Sequence, residues 1–311
     1  MVAILRGGRP ERRGREPGMN IVITGAGGQL GEDILRLLTR TRNWRVSGYQ
    51  RKDWDLTNAG KTLQVIGTEQ PDAVIHCAAF TDVDRCETFP REAFRVNARA
   101  TRDLAAACQR HGAKLIYIST DYVFDGKKTT GYTEEDLPSP INAYGKTKWI
   151  GEQWVKRLCS DHLILRTAWV YGNYGRNFVS AILRKAEKGE PLSVVDDQVG
   201  CPTYTVDLAE QVRNLLETSL TGVIHTAGSG RCSWYEFAAS ILKRAGFRGN
   251  RLERISSRQL KREAVRPDVS VLRSIRLEEN GLERLPHWKE GLNRYFMDRE
   301  EGKDDDRRRC L

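Results

Sequence analysis

Tyr144 and Lys148 lie four residues apart in a segment whose apolar spacing predicts a helix over residues 143–158, so both side chains leave one face of it. An ammonium beside a phenol stabilises the phenolate and lowers a pKa that is ordinarily about 10, which lets the phenol donate a proton near neutrality. The spacing alone is common in helices. It gains weight from Ser119-Thr120-Asp121, which closes a predicted strand over residues 114–119 and lies 24 residues upstream of the tyrosine. A hydroxyl leaving that strand end faces the crevice where open α/β sheets bind ligands. Thr120, Tyr144 and Lys148 are therefore the candidate catalytic residues of a site that reduces a carbonyl.

Such a site needs a hydride donor, and the sequence Gly25-Ala26-Gly27-Gly28-Gln29-Leu30-Gly31 offers a place for one. It follows a predicted strand over residues 20–24 and opens a predicted helix over residues 29–38. A turn without Cβ atoms lets the backbone approach a pyrophosphate, whose charge then rests on the helix N-terminus. A glycine-rich turn is weak by itself and strong between the first strand and first helix of a βαβ unit. The second strand, over residues 44–49, ends without an acidic residue at Tyr49 or Gln50 and runs into Arg51 and Lys52. Basic residues there favour a 2′-phosphate on the adenosine ribose, so NADPH is the expected cofactor, with NADH still used. Asp55 and Leu56 are placed to face the adenine. Ala78 and Ala79 offer small side chains where a flat cofactor passes.

The elements that must position these groups follow a regular order. Short β-branched runs at residues 20–24, 44–49, 73–78, 114–119 and 162–170 alternate with helical stretches at 29–38, 59–69, 89–110 and 143–158. This spacing predicts a parallel sheet covered on both faces. The fold class is α/β: a doubly wound Rossmann-type parallel sheet with a smaller, discontinuous α/β substrate domain. After Tyr171 the pattern loosens into helices at 177–187, 206–217, 234–245 and 288–296 and strands at 192–195 and 222–226, with polar linkers such as residues 254–261. The expected organisation is a leader at 1–18 without periodicity, a dinucleotide-binding domain at 19–170 to which 201–228 returns, a substrate domain at 171–298 and a charged tail at 299–311.

Composition excludes several other classes. The net charge of +10 has +3 in residues 1–18, and the tail adds nothing. The rest contains no basic run longer than two residues, so the excess suits an anionic small molecule as well as it suits nucleic acid, which is not expected as a partner. Seven cysteines show no C-x-x-C pair and five histidines are scattered, so no metal ligand set is assigned and the thiols are expected to be free in a reducing compartment. No apolar run approaches the roughly 20 residues of a membrane helix. No membrane partner and a cytoplasmic location are the expectation.

Taken together, the glycine turn and Tyr144-x-x-x-Lys148 resemble the extended short-chain dehydrogenase/reductases. Within them, Gly28-Gln29-Leu30-Gly31, the run Ser119 to Gly126, Tyr144-Gly145-Lys146-Thr147-Lys148, Asp197-Gln198-x-Gly200-x-Pro202-Thr203 and Arg266-Pro267 resemble the dTDP-4-dehydrorhamnose reductases over residues 20–296. That resemblance implies reduction of the 4-keto group of dTDP-4-dehydro-L-rhamnose, with the proton from Tyr144, the nicotinamide ribose held by Lys148 and the carbonyl oxygen bonded by Thr120. It implies a sugar pocket lined by Thr81, Val83, Tyr122 and Trp169, the last offering an apolar face, and Arg266 as a diphosphate contact. It also implies a homodimer. The family's metal-assisted dimer contact uses acidic residues, of which Asp33 alone has a counterpart here, so Mg2+ dependence stays open. Related 4,6-dehydratases place Asp-Glu after the strand-end Thr, whereas Asp121-Tyr122 follows Thr120. Elimination then lacks its second carboxyl. A rival of another class is a non-catalytic regulator resembling the methionine adenosyltransferase beta subunit. The reductase-like Thr81-Asp82-Val83-Asp84, and Thr rather than Ser at position 120, argue against it.

Overall fold

The computed structural model describes residues 18–247 and 251–309, the last eight as backbone only. The leader expected at residues 1–18 therefore lies outside the described residues apart from Gly18. In chain order the first half runs β1 (Asn20–Thr24), α1 (Gln29–Thr39), β2 (Arg45–Tyr49), α2 (Ala59–Glu69), β3 (Ala73–His76), α3 (Val83–Thr88), α4 (Pro90–Phe94), a π-helical turn (Arg95–Arg99), α5 (Ala100–His111), β4 (Lys114–Thr120), α6 (Ala143–Leu158) and β5 (His162–Thr167). The second half runs β6 (Val170–Tyr171), α7 (Phe178–Glu187), β7 (Leu192–Val195), β8 (Val199–Gly200), β9 (Thr203–Tyr204), α8 (Thr205–Leu216), β10 (Gly222–His225), β11 (Cys232–Ser233), α9 (Trp234–Arg244), β12 (Leu252–Ile255), α10 (Arg276–Glu279) and α11 (Trp288–Arg309).

Six strands form one parallel sheet in the order β10-β5-β4-β3-β1-β2. The chain leaves β1 toward β2 on one side and returns as β3 on the other, so a topological switch point lies between β1 and β3. Side chains alternate between the faces as the strand period requires. Ile21 and Ile23 pack under α1 and α8, whereas Val22 packs under α2 and α5. Each fully buried Ile or Leu in these layers contributes about 1.5–3 kcal/mol. A third cluster joins α7, α9, α11 and β7 around Phe237 and Trp288. A fourth, around Phe124, Tyr132 and Leu272, lies beside the segment that follows β4.

Three expectations are corrected. Residues 89–110 are not one helix: α4, the π turn and α5 replace it. Within the stretch read as a polar linker, Arg254 and Ile255 belong to β12, which pairs in parallel with β7. The helix expected over 288–296 continues to Arg309. Among the described residues no helix is long and apolar enough to cross a membrane.

Candidate active site

A cleft of about 770 Å³ opens at the carboxyl ends of β1, β3 and β4. Its volume lies within the roughly 300–1,000 Å³ range of small-molecule sites. Every site residue expected from the sequence lines this one cleft except Lys52 and Arg266. Arg266 instead directs both terminal nitrogens at Asp84, at 2.7 and 2.6 Å.

The glycine turn is shaped by steric demand. Gly25 has φ +70°, and a Cβ on it would lie 2.6 Å from the Ala78 nitrogen, so β1 and the segment after β3 pass each other closely only because that atom is missing. A Cβ on Gly31 would run into the Gly25 carbonyl, which explains glycine at the third place. The position between them is different. Around Gly28 a Cβ would meet one neighbour, the Gly25 oxygen at 3.2 Å, and otherwise face the cleft. This is the cradle expected for a pyrophosphate, so the residues present fit a dinucleotide.

β2 delivers Tyr49, whose hydroxyl donates to Glu69 at 2.6 Å, and then Arg51 at the cleft wall. The Arg51 side chain is 74% exposed and 4.0 Å from Glu92. The carboxylate of Asp55 accepts from the Thr57 amide and hydroxyl, which hold it below the usual carboxylate range.

α6 begins at Asn142, whose side chain accepts from the Gly145 amide at 2.8 Å and so caps the helix. This start places half-buried Tyr144 in the first turn and Lys148 one turn deeper, 2% exposed. The lysine donates to the Ile118 carbonyl at 2.6 Å and sits 4.0 Å from the Tyr117 ring centre. Burial pulls its ammonium down to about 7. The Tyr144 phenol moves the other way from the expectation: burial raises it above its ordinary value, and the hydrogen bond to Thr120 pulls it partly back. The Thr120 hydroxyl donates to Asp121 at 2.9 Å and accepts from the Tyr122 amide at 3.2 Å. Asp121 is itself buried, and burial pushes its carboxyl up to about 6.

Trp169 follows β5 with φ +45°, a left-handed backbone that is uncommon for a bulky residue and costs of order 1–3 kcal/mol. Its indole stacks on Trp234 at 3.5 Å and 4°, and a Cβ on Gly200 would strike the same indole. The apolar face expected for the sugar is thus covered by Trp234, which lines the cleft beside it. Tyr122 packs edge-on against Tyr144 at 5.8 Å. Asp33 faces inward, 8% exposed, and burial lifts its carboxyl to about 6.

The sequence names Asp121 only as part of the strand-end run, and it gives no sign of two further residues. One is Trp234. The other is Asn97 in the π turn, fully buried, which accepts from the Phe80 amide at 2.7 Å and donates to the Phe80 carbonyl at 3.0 Å and to Thr147 at 3.1 Å. It clamps the loop carrying Ala78, Ala79 and Thr81 to α6. A π turn that presents one side chain this way is common at functional sites.

Comparison with known proteins agrees with this geometry. The family model described as the RmlD substrate binding domain matches residues 19–300. The chain is 40% identical over 279 residues to the spore coat polysaccharide biosynthesis protein SpsK of Bacillus subtilis, covering 90% of this chain and 97% of that one. It is 33% identical to the dTDP-4-dehydrorhamnose reductase of Escherichia coli, covering 89% and 96%. The crystal structure of dTDP-4-dehydrorhamnose reductase from Bacillus anthracis in complex with NADP superposes with a TM-score of 0.88 at 41% identity, covering 90% of this chain and 99% of that one. A UDP-glucose 4-epimerase from Thermus thermophilus, at 21% identity and TM-score 0.76, shares the fold.

Proposed function

The chain belongs to the RmlD family, the dTDP-4-dehydrorhamnose reductases, and from that membership we propose that it reduces the 4-keto group of dTDP-4-dehydro-L-rhamnose to give dTDP-L-rhamnose. It is an NADP-dependent oxidoreductase. The observation that carries the reading is the convergence of Thr120, Tyr144, Lys148 and the Gly28 cradle on one cleft. A regulatory, non-catalytic role is not favoured, because the curated relatives named above act in polysaccharide biosynthesis or as reductases.

Bound in the cleft, the reduced dinucleotide supplies the hydride. Tyr144 stays protonated through neutral pH because burial raises it, so it is loaded as a proton donor to the 4-keto oxygen. The cost is the phenolate left behind. The Lys148 ammonium stabilises that charge as it forms, and Thr120, within hydrogen-bonding reach of the phenol, joins it by turning its one proton from Asp121 to the phenolate. Lys148 thereby acts on the product of proton transfer rather than by lowering the phenol beforehand. Thr81, Val83, Tyr122 and Trp169 line the sugar end, and the diphosphate contact assigned to Arg266 requires its pair with Asp84 to open. On this reading residues 19–170 with 201–228 hold the cofactor, residues 171–298 complete the sugar site, and the enzyme is a cytoplasmic homodimer.

Cofactor choice is tested at Arg51 and Lys52. A charge-assisted contact to a 2′-phosphate is worth roughly 1.5–3 kcal/mol before solvent screening. At a side chain as exposed as Arg51, with Glu92 nearby, about a tenfold preference for NADPH remains. The double substitution Arg51→Ala, Lys52→Ala lowers kcat/KM for NADPH to the value for NADH and leaves NADH unchanged. Equal losses with both cofactors would reduce these residues to solvated loop charges.

A further inference from the structure

Beneath the catalytic pair lies a charge that the reaction as described does not use. Glu152 follows Tyr144 and Lys148 on the same face of α6, at four-residue spacing, and is fully buried. Its carboxylate accepts from Ser119 at 2.6 Å and from Arg166 twice, at 2.9 and 2.7 Å. Arg166, on β5, is 1% exposed, lies over the Phe124 ring and approaches His225 on β10 at 3.5 Å. A buried pair of this kind seldom repays its desolvation through stability alone, because apolar residues of similar volume serve as well or better.

The contacts of Glu152 lead to the active site. Ser119 stands between Ile118, whose carbonyl accepts from Lys148, and Thr120, whose hydroxyl meets Tyr144. We propose that Glu152 is a positioning residue: through Ser119 it fixes the end of β4 that holds Lys148 and Thr120, and one turn along the same face of α6 it sets a negative charge against the Lys148 ammonium. This rests on the role given to Lys148 above.

The other groups around Lys148 do not replace that charge. On β3 and just after it, burial holds His76 down at about 3 and Cys77 up at about 12, so both are neutral across the working range. From β4 come the Tyr117 ring and the Ile118 carbonyl, which carry no net charge. From the segment after β4 comes Asp121, which is engaged with Thr120. On α6 itself, Tyr144 remains a neutral phenol. Arg166, from β5, directs its guanidinium at the Glu152 carboxylate. Glu152 is the strongest charge favouring the ammonium, against the burial that disfavours it.

The test is the pH dependence of kcat/KM with NADPH and dTDP-4-dehydro-L-rhamnose in the full chain. An active form that needs charged Lys148 loses activity as pH rises through the lysine's pKa. Glu152→Gln removes the charge and keeps the shape, so this basic limb moves down by about one pH unit or more. Glu152→Asp keeps the charge and leaves the limb in place, whatever it does to kcat. If Glu152→Gln does not fold, Glu152→Gln with Arg166→Met removes both charges, and its limb still lies below the parent's because Glu152 is the partner that acts on Lys148. A folded Glu152→Gln, or the double variant, with the parent's limb overturns the proposal. Lys148→Met separates the two readings: if it keeps parental turnover the role of Lys148 falls, and if it is inactive while the Glu152 variants keep the limb, only the role of Glu152 falls.

Discussion

Tyr144→Phe lowers kcat by at least about a hundredfold and leaves the NADPH dissociation constant unchanged. The magnitude follows from general acid catalysis, which contributes about 10² to 10⁴. The phenol hydroxyl is the one atom removed, and Thr120 keeps its bonds to Asp121 and to the Tyr122 amide. The ring also keeps its edge-on packing against Tyr122, so the fold has no reason to respond. Steady-state turnover and a fluorescence titration with NADPH read the two quantities separately. Turnover near the parent's would remove Tyr144 from the proton transfer. A matched loss of cofactor affinity would mean that the ring, rather than the hydroxyl, is what the cleft needs.

Gly28→Val abolishes NADPH binding while the melting temperature stays close to the parent's. The three glycines of the turn differ in what surrounds them, and that difference makes the prediction sharp. At Gly25 a side chain meets the Ala78 backbone on a left-handed φ, and at Gly31 it meets the Gly25 carbonyl, so either substitution deforms the fold itself. A side chain at Gly28 needs only a shift of a few tenths of an ångström from the Gly25 oxygen and then fills the space proposed for the pyrophosphate. Unchanged NADPH affinity in a folded Gly28→Val would place the cofactor elsewhere. Loss of affinity together with a large fall in melting temperature would show that the turn, not the ligand, was damaged.

Much of the scaffold was legible because it is written in local periods. Ile21, Val22 and Ile23 form a continuous apolar run of the kind that a sheet covered on both faces requires. The glycine turn and the Tyr144–Lys148 spacing are likewise local, and both reached the cleft. What escaped was tertiary. Asn97 sits inside an apolar helical pattern with no signal of its own, and its meaning appears only when Phe80 and Thr147 are brought to it. The π turn that inserts it interrupts a helix whose sequence pattern gives no warning. Trp234 has the sequence signature of a helix start, with nothing to suggest a stacked partner at Trp169, 65 residues earlier. The two-residue strands β6, β8, β9 and β11 are too short to carry a period. The direction of the Tyr144 shift departs from the sequence expectation for a related reason: a neighbouring charge is visible in the spacing, whereas the burial that outweighs it is a property of the assembled cleft.

The most direct test of the account mixes the purified chain with NADPH and dTDP-4-dehydro-L-rhamnose and follows nicotinamide absorbance together with the sugar nucleotide formed. One NADPH is oxidised per dTDP-L-rhamnose produced, and the reaction is lost in Tyr144→Phe. NADPH that binds with ordinary affinity but is not oxidised in the presence of the 4-keto sugar nucleotide would contradict it, and would leave the cleft as a cofactor-holding site without chemistry.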